Sequence, residues 1–306
     1  MGVMANNVPT WIRWMDRLDR RVVYLMVMLS LLIPILLNKS LKMAKLKSAD
    51  MFYNSVERLE SRDDQIVLIA SDWGPSTKAE NEPQTEAVIE HLMKRRIKFG
   101  LLTGVPQGMP FLIGLPQKIA QRLHERTGET WTEGEDWVNF GYRPGQYMLV
   151  QQLPKAEDLR DVLKVDASNI PLREVPCMQN VSKFSQIPML VEITGLSGVF
   201  AMWLQFFQTE THRPVFVHGC TSITIPEAYI FLDSGQITGL LEGMAGAAYY
   251  MERLGYSKTK PHKVMTNMTA LSLAHLVIIA FIIVGNIGMF IKQRHNRAGG
   301  AGRKRP

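Results

Sequence analysis

Two apolar segments without a charged side chain stand near the two ends of this 306-residue chain, at residues 22–37 and 268–291. As α-helices, the first would rise about 24 Å and the second would be longer. A hydrocarbon core of about 30 Å needs about 20 apolar residues, and flanking side chains can extend a short span. The pattern predicts transmembrane helices at 22–38 and 268–291.

A cleaved signal peptide is the alternative interpretation of the first apolar segment. Basic residues before the segment are typical of a signal peptide, but residues 38–50 contain no A-x-A-like cleavage site. An uncleaved anchor is therefore predicted. Before it, Trp11, Trp14, Met15 and Leu18 recur at helical spacing between arginines. This spacing predicts either an amphipathic helix in the membrane interface or an extended start of the span.

Short apolar runs alternate with helical patterns between the two predicted spans. Predicted strands cover 65–71, 97–105, 189–194 and 214–218, and predicted helices cover 82–96, 116–127, 197–208, 226–234 and 236–254. Such alternation predicts an α/β fold with a doubly wound, mostly parallel, Rossmann-like sheet. The stretch between these groups is interpreted as a loop at 139–145, a strand at 147–151, a helix at 156–165 and irregular chain at 172–184.

The predicted organisation is a folded domain held by two membrane helices. Its parts are a cytoplasmic amphipathic segment at 1–21, a transmembrane helix at 22–38, a stalk at 39–62, an extracytoplasmic α/β domain at 63–262, a second transmembrane helix at 268–291 and a basic cytoplasmic tail at 292–306.

The net charge of +7 is unevenly distributed. The chain between the spans is close to neutral, whereas the tail after Ile291 has six basic and no acidic residues. A nucleic-acid partner is disfavoured, because such proteins carry their positive charge on a folded face. The basic tail instead favours the plasma (inner) membrane as the location, with both termini cytoplasmic and the domain on the outer or periplasmic side. Membrane lipid is the expected partner of the basic ends.

The loops after the predicted strands are the candidate ligand site, because parallel sheets bind ligands beyond the carboxyl ends of their strands. Small and hydroxyl residues before helices can bind an anion, although they are also ordinary helix caps and turn formers. The candidate ligand-binding residues are Asp72, Gly74, Ser76, Thr77, Gly104, Arg143, Gly195, Ser197, Thr221 and Ser222.

Cys220, His218 and Asp72 are the weak candidates for catalysis. Cys220 follows a predicted strand two residues after His218, but Gly219 is expected to break the strand between them. Asp72 or Glu192 is an alternative partner for the thiol. The competing interpretations are a buried cysteine beside a loop histidine, a turn-forming Asp72, and a Glu192 paired with Arg143 or Lys98.

Recognisable cofactor and metal motifs are missing from the sequence. G-x-G-x-x-G, the P-loop, H-E-x-x-H, G-x-S-x-G and C-x-x-C do not occur. No cofactor and no metal are predicted. Two cysteines, Cys177 and Cys220, can pair in an oxidising compartment, but they do not make a disulfide scaffold.

Gly285, Asn286 and Gly288 are the candidates for helix association in the second span. Small residues allow helices to approach closely, and an amide can bond across the interface. Their partner is either the first span or another copy. His275 is a further polar residue in this span, interpreted as lying near the interface. A second stripe of small residues, Gly239, Gly243, Gly246 and Ala247, is placed in the last helix of the domain and predicts close packing or self-association.

Four segments of the chain, SDWGPSTKAENEPQTEAVIEHLMKRRIKF, NFGYRPG, TGLSG and HGCTSITIPEAY, resemble a group of uncharacterised prokaryotic membrane proteins. These proteins have two spans around an external Rossmann-like domain with a D-x-G-P-S-T loop. The resemblance covers nearly the whole chain. It implies the same architecture but no reaction and no functional residue.

The expected function is therefore a non-catalytic, membrane-anchored binding or scaffolding protein. It is expected to be a subunit of a homo-oligomer or of a larger membrane complex, with itself or other membrane proteins as partners and a candidate crevice for an anion or small ligand. The alternative is a membrane-anchored hydrolase or transferase that uses Cys220 or Asp72.

Overall fold

The computed structural model of the chain describes residues 19–301. Most of the predicted amphipathic segment and the last five residues of the predicted tail lie outside the described residues. The chain divides into two compact units. Among the described residues, one unit is formed by 19–41 and 257–301, and the other by 42–256.

Eleven helices and six strands make up the described part of the chain, besides short 3-10 turns. The helices are α1 Arg20–Leu37, α2 Lys47–Glu57, α3 Lys78–Lys94, α4 Met109–Leu112, α5 Leu115–Thr127, α6 Gln146–Gln152, α7 Leu159–Leu163, α8 Ser197–Phe206, α9 Ile225–Asp233, α10 Gly243–Arg253 and α11 Lys263–Ala301. The strands are β1 Val67–Asp72, β2 Phe99–Thr103, β3 Trp137–Tyr142, β4 Met189–Thr194, β5 Val215–Cys220 and β6 Gly239–Glu242.

The six strands form one sheet in the order β3-β2-β1-β4-β5-β6, and every neighbouring pair is parallel. This order is that of a doubly wound α/β fold, and it confirms the predicted parallel sheet. The direction of winding changes between β1 and β4. The topological switch point, where such sheets usually bind ligands, therefore lies at the carboxyl ends of these two strands.

Helices cover both faces of the sheet, which explains why the strands have continuous apolar sequences. All residues of β1, β2 and β4 are buried. Helices α2, α3 and α10 pack on one face. Helices α6, α8 and α9 cover the other face, together with the mainly irregular chain at 153–187 that joins the same apolar core.

Helix α2 lies within the segment predicted as a stalk, but it packs into the α/β unit. Phe52 and Val56 are completely buried, and Ser48 donates a hydrogen bond to Glu242 at the end of β6. This part of the segment is therefore a structural layer of the domain and not an exposed connection.

Three local predictions were wrong. The predicted loop at 139–145 is mostly strand β3. This strand has a bulge opposite Leu101 and Leu102 and a Gly141 at φ +72°, so its sequence resembles that of a turn. The predicted strand at 147–151 is helix α6, because a short apolar run fits either element. The predicted helix at 236–254 begins with strand β6 and becomes helical only at Gly243.

The stripe of small residues predicted within residues 236–254 has two separate structural roles. A Cβ on Gly239 would lie 2.3 Å from the Cα of Phe52, so α2 can approach the edge strand only at a glycine. A Cβ on Gly246 would lie 2.9 Å from the carbonyl carbon of Leu241, where α10 folds back on β6. The stripe is therefore used for packing within the domain.

Helices α1 and α11 pack against each other in the other unit. The backbone N–H of Leu41 donates to Oγ1 of Thr269 at 3.0 Å, and that of Ser40 donates to the carbonyl of Lys258 at 3.3 Å. By length and apolar composition alone, α1 and residues 263–291 of α11 are sufficient to cross a membrane.

Gly239→Ala should destabilise the α/β unit by about 1–3 kcal/mol, because its Cβ would overlap the backbone of α2. At this domain size each kcal/mol corresponds to about 2–4 °C in Tm. Thermal unfolding of the full chain in detergent, followed by the fluorescence of the buried Trp73, Trp137 and Trp203, measures the change.

Gly198→Ala is the matched control, because a Cβ at Gly198 meets no atom within 4 Å and alanine favours a helix. Its Tm should be unchanged or higher. Equal Tm values for wild type and Gly239→Ala would contradict the proposed close approach of α2 and β6.

Candidate functional site

The candidate ligand-binding residues all lie at the carboxyl edge of the sheet, as predicted for loops that follow parallel strands. They are Asp72, Gly74, Ser76 and Thr77 after or at the end of β1, Gly104 after β2, Arg143 after β3, Gly195 and Ser197 after β4, and Thr221 and Ser222 after β5. The side chains around them decide whether a crevice is open there.

The Asp72 carboxylate connects the end of β1 to segments that follow three other strands. It accepts hydrogen bonds from the backbone N–H of Gly104 at 2.6 Å, from Nε1 of Trp203 at 3.0 Å and from the side-chain amide of Gln146. Burial raises the pKa of Asp72, although these donors act in the opposite direction. Asp72 is therefore not the local turn former of the alternative interpretation, and its carboxylate occupies the Gly104 N–H that was predicted to bind an anion.

The switch point between β1 and β4 is filled by the protein itself. Oγ1 of Thr194 donates to the carbonyl oxygen of Asp72 at 2.7 Å. A Cβ on Gly195 would lie 2.9 Å from the methyl groups of both Thr77 and Thr221. The loops after β1, β4 and β5 are therefore in contact at this point.

A carboxylate of the chain also occupies the predicted anion site after β5. Oε2 of Glu80 accepts hydrogen bonds from the backbone N–H of Ser222 at 2.8 Å and from its Oγ at 2.5 Å. An external anion at this loop would have to displace Glu80 from α3.

Arg143 is directed away from a free anion site. Its guanidinium donates to the carbonyl oxygen of Val165, and no hydrogen-bond partner of its Nε occurs among the described residues. Burial lowers the pKa of Arg143. The side chain holds the chain after α7 against the end of β3.

Glu192 and His218 form a buried pair on adjacent strands. They are register partners in β4 and β5, and Nδ1 of His218 lies 2.6 Å from Oε2 of Glu192 and 3.1 Å from its carbonyl oxygen. Neither carboxylate oxygen of Glu192 has a partner with full hydrogen-bond geometry in the described part of the chain. The expected pairing with Arg143 or Lys98 is wrong, since Lys98 binds Asp63 at 2.8 Å.

Desolvation dominates the titration of this pair. Burial, together with the nearby charge of Asp72, raises the pKa of Glu192 well above its ordinary value. Burial lowers the pKa of His218 to about 3. Both shifts favour neutral side chains. Burial therefore favours a protonated carboxyl group beside a neutral imidazole.

His218 is also one wall of a small pocket at the start of α8. The polar lining is completed by Thr194, Ser197, Thr224 and Glu227. The ring of Phe200 stacks on the imidazole at a centroid distance of 4.1 Å. The pocket has room for about 10 Å³, roughly one water molecule. It is an unfilled part of the predicted crevice, and it has room for a single small polar group.

Cys220 is completely buried, and burial raises the pKa of its thiol to about 12. Strand β5 continues through Gly219, so the expected break is wrong and Cys220 lies on the same sheet face as His218. Cys177 and Cys220 are both free and buried. A thiol with this pKa has almost no thiolate at neutral pH, which makes it a poor nucleophile.

Sequence reasoning missed the side chains that close the site, namely Glu80, Gln146 and Trp203. They lie within six residues of predicted site residues, but each binds a group that is distant in the chain, so no local motif marks them. The neighbours of Glu192 depend on the strand register. Within residues 19–301, no group of three or more His, Cys, Asp or Glu is placed to hold a metal ion.

Glu192→Gln should change the pH dependence of stability. Above pH 6.5 the unfolded chain, with ordinary pKa values of 4.5 and 6.5, has lost the proton that the folded pair keeps. Stability falls as pH rises where the folded state holds more protons. As pH rises above 6.5, wild type should therefore lose up to about 1.4 kcal/mol of stability per pH unit relative to Glu192→Gln, until the pair ionises.

Urea unfolding of the full chain in detergent, followed by tryptophan fluorescence at several pH values, measures this slope. Glu227→Gln changes a partly exposed carboxylate of the same pocket and should keep the wild-type slope. Parallel curves for wild type and Glu192→Gln would show that the folded pair holds no extra proton.

Cys220 and Cys177 should react with iodoacetamide only after denaturation, because both thiols are buried and both have a pKa of about 12. Mass spectrometry of the native and the denatured chain measures the modified fraction at each site. If Cys220 in the native chain reacts as fast as free cysteine, its thiolate must be accessible, and this result would support the enzyme alternative.

Comparison with known proteins gives no identity for this chain. The sequence matches no protein-family model, and no curated protein or solved structure is significantly similar to it. No activity can therefore be transferred to it from a relative.

Proposed function

We propose that this protein is a membrane-anchored, non-catalytic binding or scaffolding subunit of a homo-oligomer or larger membrane complex. In this proposal α1 and α11 cross the plasma (inner) membrane, both termini are cytoplasmic, and the α/β domain lies on the outer or periplasmic side. Lipid, other copies of the chain and other membrane proteins are its partners.

The distribution of exposed apolar side chains is the main support for the membrane anchor. Most of the large hydrophobic residues exposed in the described chain lie on α1 and α11, for example Leu25, Leu32, Ile279 and Ile283. A soluble helix pair buries such residues in a core, because large exposed apolar surfaces associate or aggregate in water. A helix pair in lipid can expose them all around.

The basic residues support the orientation. The tail after Ile291 has six basic and no acidic residues, more than the three lysines, Lys258, Lys260 and Lys263, before the second span. Positive residues beside membrane helices are retained on the cytoplasmic side. An even number of spans then brings both ends to that side.

The closed carboxyl edge supports binding or scaffolding over catalysis. In an open doubly wound sheet a substrate would lie at this edge. Here side chains of the protein occupy the edge, namely Asp72, Thr77, Glu80 and Thr221. The remaining pocket beside His218 has room for about one water molecule. A small polar group of a ligand fits there, whereas turnover of a larger substrate requires an opening movement.

The alternative hydrolase or transferase would use Cys220 or Asp72. Both side chains are completely buried. Burial raises the pKa of the Cys220 thiol to about 12, which leaves little thiolate to act as a nucleophile near neutral pH. The buried positions therefore favour the non-catalytic proposal.

Cysteine labelling in cells tests the anchor and its orientation. Asp63→Cys places a thiol at a position whose side chain is 86% exposed, and Gly299→Cys places one in the tail. In intact spheroplasts a membrane-impermeant maleimide should label Asp63→Cys, and it should label Gly299→Cys only after permeabilisation. The native cysteines should give little background because both are buried.

Wild type is the labelling control, and carbonate-washed membranes are the control for location. The reverse labelling pattern would refute the proposed orientation. Recovery of the full chain in the soluble fraction would refute the membrane anchor itself.

A further inference from the structure

One face of α11 is already occupied by α1. The side chains Ala270 and Ala274 are buried, Val277 and Phe281 are half-buried, and Gly288 is buried at the next turns of the same face. These positions are separated by steps of three, four or seven residues, which keeps them on one side of a helix. Of the predicted association residues, Gly288 therefore lies on the side of α11 that faces the first span.

The matching face of α1 has the same spacing. Val23, Val27 and Ser30 are half-buried, and Pro34 is buried, while the residues between them are exposed. Oγ of Ser30 donates to the carbonyl oxygen of Val27 at 2.7 Å, so this polar group is satisfied within its own helix. The contact between α1 and α11 is thus a narrow apolar seam that needs no polar side chain from α11.

The polar side chains of α11 lie on the opposite face. His275 and Asn286 are eleven residues apart, which is about three helical turns, so they share one side. That side is about half a turn from Val277, and both residues are exposed. No hydrogen-bond partner is found for either side chain among residues 19–301. Next to Asn286, a Cβ on Gly285 would meet no atom within 4 Å.

We propose that this face of α11, formed by His275, Ile282 and Asn286, binds the same face of a second copy of the chain within the membrane. The inference rests on the proposed membrane anchor, since in lipid an unpaired amide or imidazole needs a protein partner. Helix α1 cannot be that partner, because it packs on the other side of α11.

A second copy satisfies these groups without any other molecule. Copies inserted in the same orientation are related by a two-fold axis along the membrane normal, so each residue faces its equivalent. An Asn amide has both donors and an acceptor, so two Asn286 side chains can bond to each other.

Disulfide trapping in native membranes tests the contact. Ile282 lies seven residues from His275, on the proposed face, and Ile282→Cys should form a disulfide-linked dimer of the full chain under mild oxidation. Val277→Cys, on the face toward α1, is the matched control and should remain mainly monomeric. The native thiols are buried and should not contribute. Equal cross-linking at both positions, or cross-linking only at Val277, would overturn the proposed face.

The contribution of the amide is measured by replacing Asn286. Asn286→Ala should raise the dissociation constant of the dimer about 3- to 30-fold, as expected for the loss of hydrogen bonds between membrane helices. Energy transfer between labelled copies in lipid vesicles, over a range of protein-to-lipid ratios, gives this constant. Ser30→Ala removes a polar group that is satisfied within α1 and should leave the dissociation constant unchanged.

The results separate this inference from the membrane anchor. A chain that is membrane-integrated but monomeric, with no cross-link at Ile282→Cys, refutes self-association through this face and leaves the anchor intact. A chain that is found in the soluble fraction refutes both. An Asn286→Ala variant that dimerises as well as wild type shows that the amide is not part of the contact.

Discussion

The closed carboxyl edge of the sheet depends on one buried carboxylate. A charged or polar group that leaves water must be hydrogen-bonded, or its burial is costly. Asp72 meets this requirement with donors from three separate parts of the chain, Gly104, Gln146 and Trp203. The loops after β1 and β2 and the helices after β3 and β4 are thereby fixed to each other. The edge that other doubly wound proteins use to bind ligands is here a hydrogen-bonded structural element.

The second buried carboxylate has a different environment. Glu192 lies beside His218, and neither carboxylate oxygen reaches a donor with good geometry among the described residues. Burial acts on both members and favours their neutral forms. The imidazole borders a small pocket in the crevice. The pair with strongly shifted pKa values therefore lies beside this pocket, and perturbed pKa values often mark functional sites.

Polar groups that leave water need hydrogen-bond partners, and the two units meet this requirement in different ways. In the α/β unit, polar side chains find partners within the fold, as the bonds of Asp72 and Ser222 illustrate. In the helical unit, α1 and α11 are joined by an apolar seam, and the polar face of α11 is left without a partner among the described residues. A second copy of the chain would complete that unit in lipid.

The sequence alone determined the apolar helices, the alternation of strands and helices, and the edge at which the candidate residues collect. These features follow from local periodicity and from the rule that parallel strands share a carboxyl edge. Only the tertiary structure decided that β3 and β6 are strands, because a bulge at Gly141 and a close approach at Gly239 give them the composition of other elements. It also decided that Glu80, Thr77 and Thr221 fill the crevice and that Glu192 lies beside His218. These contacts join residues far apart in the chain, and their geometry is set by strand register and helix packing, which no local pattern encodes.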